Sequence, residues 1–229
     1  MCGMSSQHQP TQQRLAIRFG KSGPLKYTSS LDLAKIWERV LRRADIPLQY
    51  SHGFNTRPRM ALASALPLGI TSECELLDVS LRAPTAPGTL AGRLAAVSPE
   101  GLHVYAIHEM PLGAPALQPL VRSAEYQIRF SDGAAPDELR ARVTALLDAE
   151  ALVQHSEHKG RARSADLRPL IYELTVDERG ALLAHIAAGE RGNLRVRDLL
   201  AELGVHEQPH SVHRLRLHLE TTPWRAGLP

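Results

Sequence analysis

"RLAIRFGKSGPLKYTSSLDLAKIWERVLRRADIP", residues 14–47, changes its hydrophobic period once, and that change decides the fold. Leu15, Ile17 and Phe19 alternate with Arg14, Ala16 and Arg18, the two-residue period of a half-buried strand, and "KSGP" stops it. From Ser29 the spacing becomes three and four. Leu33, Ile36, Trp37, Val40 and Leu41 make one apolar stripe, with Ser29 or Ser30 as cap, Asp32 in the first turn and Pro47 marking the end. Lys35, Glu38, Arg39, Arg42 and Arg43 occupy the other face, so the first helix shows its cations to solvent or to a partner.

Working outward, "MALASALPLG" and "CELLDVSLRAP" read as strands, "PGTLAGRLAAV" as a short helix opened by Pro87, and "LHVYAIHEM" as a strand. The order is strand, helix, strand, strand, helix, strand, and it starts again at residue 124. "AEYQIRF" alternates, "APDELRARVTALLDA" is a helix, and "LVQHSEH" and "LIYELTV" are strands. "ALLAHIAAG" is an additional strand candidate, "LRVRDLLAELG" is a helix closed by Gly204, and "SVHRLRLHL" is a strand. The fold class expected is α+β: two ferredoxin-like split βαβ modules with antiparallel sheets and helices on one face. Residues 1–13 and 221–229 read as tails, 14–120 as the first module and 121–220 as the second, joined through "MPLGAPALQP" with its three prolines and a glycine.

Composition excludes several functions. The chain has 229 residues, 43% of them hydrophobic, enough for one large core or two smaller ones. No apolar run approaches the roughly 18 residues of a membrane span, and "MCGMSSQHQPTQQ" has no secretion signal, so no membrane partner and a cytoplasmic location are expected. Two cysteines, Cys2 and Cys74, make neither a disulfide framework nor a four-thiolate metal site. There is no nucleophile elbow, phosphate-binding glycine loop, dinucleotide fingerprint or H-E-x-x-H, and the paired histidines of "HSEH" and "HSVH" lie three apart, on opposite faces of a strand. No bound cofactor or metal is therefore expected, and the chain reads more as a non-enzyme than an enzyme.

Charge is more informative. Net charge is only +3, yet Lys and Arg stand to Asp and Glu as 10 to 3 for residues 14–60, against 2 to 5 for 61–120, 4 to 6 for 121–150, 4 to 3 for 151–176 and 7 to 7 afterwards. That block ends in "YSHGFNTRPRM", residues 50–60. Gly53 permits a reversal, Asn55 can bond local backbone, and Pro58 holds its neighbours extended and so displays Arg57 and Arg59. Turning the chain does not require arginines. Together with Lys21, Lys26, Tyr27, Arg39, Arg42 and Arg43 they suit phosphates and a stacked base, or alternatively they neutralise the acidic strand "ECELLD". His52 is either a general acid or base beside these arginines, acting as a metal-independent nuclease would, or a ring bonded to its own loop. A second cationic stretch, Lys159, Arg161, Arg163 and Arg168, surrounds a loop tip at Gly160, with Asp166 shaping the turn.

"FGKSGPLKYTSSLDL", "VLRRADIPLQYSHGFNTRPRM", "ALPLGITSECELLDVSL", "KGRARSADLRPLI" and "NLRVRDLLAEL", taken in order, resemble the radical SAM-linked protein family, domain of unknown function 2344. Members are found in bacteria alone or joined to a radical SAM protein, and this chain resembles the stand-alone form. Two departures stand out: Thr56 where the family usually has proline, and Ser30 where histidine is common. The resemblance implies an accessory or substrate-recognition module beside a separate radical SAM enzyme. S-adenosylmethionine and an iron-sulfur cluster would sit in that partner, since the three-thiolate motif is absent here. RNA, or an RNA-associated substrate, is the expected ligand of the basic face, with a protein-protein adaptor docking on an acidic partner as the alternative.

Overall fold

The structure, a computed structural model, describes residues 11–52, 54–131, 135–158 and 161–220, with backbone alone for 155–158 and 161–163. Lys159 and most of the two expected tails lie outside the described residues. The molecule is mixed α and β, with mostly antiparallel pairing and four α-helices among the described residues. Contacts among the described residues divide the chain into two units, one within 11–68 and 75–118 and the other within 69–74 and 119–220. None of the helices among the described residues is long and apolar enough to cross a membrane.

The first unit runs β1 (Gln13–Lys21), α1 (Ser30–Arg43), β2 (Met60–Leu62), β3 (Thr71–Leu81), α2 (Pro87–Val97) and β4 (Leu102–Met110), with a 3-10 turn at Gly23–Tyr27. Its strands lie in the order β4-β1-β3, with β2 pairing β3. β1 and β4 are antiparallel from Arg14↔Met110 to Lys21↔Leu102, with an irregularity between Arg18 and Phe19. The core follows from the sequence period: Leu15, Ile17 and Phe19 of β1 meet Leu33, Trp37, Val40 and Leu41 of α1, and all seven are buried. Phe19 and Trp37 make an edge contact at 4.9 Å. Ser29 is the helix cap, its hydroxyl accepting from Asp32 N at 3.1 Å and donating to the Asp32 carboxylate at 2.7 Å.

The second unit runs β5 (Val121–Phe130), α3 (Pro136–Asp148), β6 (Val153–His158), β7 (Arg161–Asp166), β8 (Ile171–Val176), β9 (Leu182–Ala187), α4 (Val196–Glu202) and β10 (His210–Leu219). Its main sheet is ordered β10-β5-β9-β8, and each neighbouring pair is antiparallel. The first residues of β3 join this unit by parallel pairing with β10, His213↔Thr71 and Arg214↔Ser72.

Four expectations need correction. "RARSAD" is strand β7, hairpin-paired with β6 as a separate two-stranded sheet, and not a loop tip alone. It has no large apolar residue to display a two-residue period, so only the backbone ladder declares it. "MALASALPLG" is strand for three residues only, because Pro67 and Gly69, at φ +82°, turn the chain before β3. Gln13, placed in the tail by the sequence, begins β1 and is buried, donating to Glu109 at 3.1 Å and accepting from Thr85 N at 2.9 Å. The proline-rich connection is no free tether. Arg14 donates to the carbonyls of Ala114 and Pro115 as well as to Asp78, and Leu117 is buried.

Candidate anion-binding face

The loop after α1 is a small hairpin. Tyr50 and Pro58 bridge its stem, Ser51 N donates to Arg57 O at 2.8 Å, Arg59 N donates to Gln49 O at 2.8 Å, and Arg57 N donates to the Ser51 hydroxyl at 3.0 Å. Reciprocal bonds of 2.9 Å, Gln49 N to Ser80 O and Ser80 N to Arg59 O, tie that stem to β3. The tip holds His52, Phe54, Asn55 and Arg57, all exposed, and Arg59 is exposed on the stem. Phe54 has a relative exposure of 110%, the whole ring in solvent. A phenyl in solvent at the end of that stem adds no burial to the fold and is open to a flat ligand.

The helix contributes along its C-terminal half. Arg42 lies 5.7 Å over the Tyr50 ring and pairs with Glu38 at 2.8 Å, which fixes α1 to the hairpin stem. Arg39 and Arg43, one turn apart, line a hollow of about 440 Å³ with Ile36, Val40 and residues 96–99 at the C-terminal end of α2. Among the described residues, the guanidinium groups of Arg39, Arg43, Arg57 and Arg59 have no hydrogen-bond or ion-pair partner. The acidic strand does not neutralise them. Asp78 is held by Arg14, and Glu73 faces His213 at 3.7 Å.

Other residues expected in this face lie elsewhere. Lys21 is fully buried and donates its ammonium to Thr28 O at 2.8 Å, so it cannot meet a solution ligand. Lys26 sits over the exposed Tyr27 ring at 5.0 Å, but these two precede α1 while Arg42 and the hairpin follow it. A helix of that length separates them by about 20 Å, so the expected patch divides into two. In the second unit, Arg168 donates to Leu147 O at 3.2 and 3.1 Å and to Ile171 O at 3.2 Å, which makes it a clamp on the end of α3 and not a free cation. Asp166 shapes that turn as expected, accepting from Leu152 N at 2.8 Å and Arg168 N at 3.0 Å. Those backbone donors hold its carboxyl below the usual value. The side chains of Arg161 and Arg163, like Lys159, lie outside the described residues.

Phe54 and the stacking role of Tyr50 were absent from the sequence expectation. Phe54 had a usable signal, an aromatic inside a polar turn. The Arg42–Tyr50 contact had none, because seven intervening residues of unknown path separate the pair.

No curated protein matches the chain. Two solved structures share a distant likeness. One is a crystal structure of a Cbf5-Nop10-Gar1 complex, with 13% identity over 89% of this chain and 48% of that one, at a TM-score of 0.45. The other is the archaeal box H/ACA sRNP Nop10-Cbf5 complex, with 11% identity over 87% of this chain and 46% of that one, at a TM-score of 0.38. The chain thus spans about half the length of either, and likeness at that level carries no inference about ligand or reaction. Family membership is decided by sequence: residues 14–196 match the family described as uncharacterized protein conserved in bacteria, DUF2344, and the chain belongs to it.

Proposed function

We propose that the first unit is a recognition module for single-stranded RNA, or for a substrate carried on RNA, and that it works in the cytoplasm beside a separate radical SAM enzyme. The observation that carries the RNA reading is the set of four guanidiniums unpartnered among the described residues, Arg39 and Arg43 on α1 and Arg57 and Arg59 on the hairpin that Arg42 and Tyr50 join to it, together with the solvent-exposed Phe54 ring. Guanidiniums bind phosphate in forked geometry, and an exposed ring accepts an unpaired base face to face. The radical SAM association rests on the sequence resemblance. In that reading S-adenosylmethionine and the iron-sulfur cluster are the partner's, since this chain's two cysteines are fewer than the three thiolates such a cluster takes. The ferredoxin-like reading of each unit is supported by strand order: β4-β1-β3 with β2 outermost, and β10-β5-β9-β8 with antiparallel neighbours.

Fluorescence anisotropy with a random-sequence 20-nucleotide RNA, from low to moderate salt, tests the RNA reading. Affinity is expected to fall linearly on log-log axes. A variant carrying alanine at Arg39, Arg43, Arg57 and Arg59 should shed about 3 from the slope, at ~0.7 per lost phosphate contact, and roughly 10²- to 10³-fold in affinity near 0.1 M salt. Absence of binding at low salt overturns the RNA reading, and tight binding of an acidic protein surface under the same conditions would replace it with the adaptor.

A further inference from the structure

The face of the second unit's sheet holds a cluster that the sequence did not single out. Ser123 and Glu125 lie two apart on β5 and therefore on one face. β9 sets His185 opposite Glu125, while β10 sets Arg216 opposite Glu125 and His218 opposite Ser123. The two imidazoles reach towards each other across β5 until their centroids are 4.7 Å apart. Each is tied by its Nε2, His185 to the Ser123 hydroxyl at 2.8 Å and His218 to the Glu125 carboxylate at 2.6 Å. No partner holds either Nδ1 among the described residues. Arg216 Nη1 is 3.7 Å from the same carboxylate oxygen, and Tyr172 of β8, 54% exposed, meets His185 edge-on at 5.2 Å.

The partners fix which ring nitrogen of each imidazole is left over. His218 donates Nε2–H to the Glu125 carboxylate, an acceptor, and Nδ1 is its unengaged nitrogen. Burial pushes the His185 imidazole below its ordinary value, and the neighbouring His218 adds to that, against the smaller opposing pull of Glu125 and Glu173. Ser123 engages Nε2 of His185, and when the hydroxyl accepts there, Nδ1 of the neutral ring is the unprotonated nitrogen. One face thus holds two imidazoles side by side, each with Nδ1 unengaged among the described residues, beside a cation and an exposed aromatic ring.

We propose that this face is a metal-independent site for cleaving RNA phosphodiesters by attack of the ribose 2′-hydroxyl. His185 Nδ1 removes the 2′-hydroxyl proton as the 2′-oxygen bonds to phosphorus. The bond from phosphorus to the 5′-oxygen breaks, and His218 Nδ1–H protonates that leaving oxygen. Arg216 stabilises the charge that builds on the phosphoryl oxygens, and Tyr172 supplies a stacking surface for the neighbouring base. The products are a 2′,3′-cyclic phosphate and a 5′-hydroxyl, with no oxidant, metal or co-substrate consumed. An open sheet face suits a chain-like substrate. The proposal shares its ligand class with the first unit's basic face but none of its residues.

The full chain is incubated in EDTA with two probes, the random 20-nucleotide RNA and the dinucleotide UpA, which at high concentration does not depend on the basic face. Both are expected to yield cyclic phosphate, while deoxyribose versions stay intact. His185→Gln and His218→Gln each keep an amide N–H near the Nε2 position for Ser123 or Glu125 but lose Nδ1, so melting stays near wild type while the rate falls by ~10²- to 10⁴-fold. The acid limb of the pH–rate profile should vanish with His185. RNA bound but neither probe cut overturns this proposal alone, as does cutting that survives the double glutamine variant or requires a divalent metal. UpA cut without binding of the longer RNA overturns the first-unit reading alone.

Discussion

The two units spend their arginines differently. In the second, Arg142 donates to the carbonyls of Leu203 and Gly204 at 3.0 and 3.3 Å and to Glu138 at 2.7 Å, Arg168 closes α3, and Arg122 bonds Pro119 O at 2.7 Å and pairs with Glu220. In the first, among the described residues, four guanidiniums grouped on α1 and its hairpin have no partner, whereas the second leaves Arg179 and Arg195 without one on separate elements. Cation counts do not distinguish these cases, because a guanidinium with its donors satisfied by carbonyls is part of the fold, and one without partners is available to a ligand. The comparison also separates aromatic residues. Tyr126 is buried and accepts from Arg214 at 3.0 and 3.1 Å, whereas Phe54 and Tyr27 stand in solvent.

Substitutions can break this contrast. The largest effect expected is the loss of RNA affinity in the quadruple arginine variant, against which Arg168→Ala is the control. That single change should leave affinity alone and lower unfolding free energy by about 1.5–3 kcal/mol in urea titration, since it strands carbonyls at the end of α3. Equal affinity losses in both variants would erase the distinction between bound and free cations. Phe54→Ala comes next: it should weaken binding of single-stranded RNA by about 1–3 kcal/mol without moving the melting temperature. A lower melting temperature would instead mean that the ring packs on something. The smallest effect is on pH dependence. A His185 held below its ordinary 6.5 when folded stays neutral while the unfolded chain takes up a proton, so its contribution to stability is complete above that value and lost as pH falls through the folded value. Wild type should therefore lose more stability than His185→Gln between pH 7 and 5, and parallel curves would remove the burial that distinguishes this ring.

The resemblance stated from sequence was sound at the level of the family, while the radical SAM partner remains a proposal. Elements with a strong period were legible because a half-buried face must repeat with its backbone: β1, α1, α2 and β4 lie where Leu15, Trp37, Leu90 and Leu102 placed them. β7 was not legible, since its residues carry no large apolar side chains. Lys21 was misplaced for a related reason: it ends a strand whose last residues turn inwards, and an ammonium that finds a carbonyl can be buried as fully as a leucine.

By itself the sequence determined the order of strands and helices in the first unit, the basic block and the family, because each is a property of neighbours along the chain. Tertiary structure alone decided which arginines are free, that Phe54 stands in water, and that Glu125, His185 and His218 meet on three different strands. Those outcomes depend on distances between residues far apart in sequence, and a side chain's chemistry is set by the groups that surround it in space.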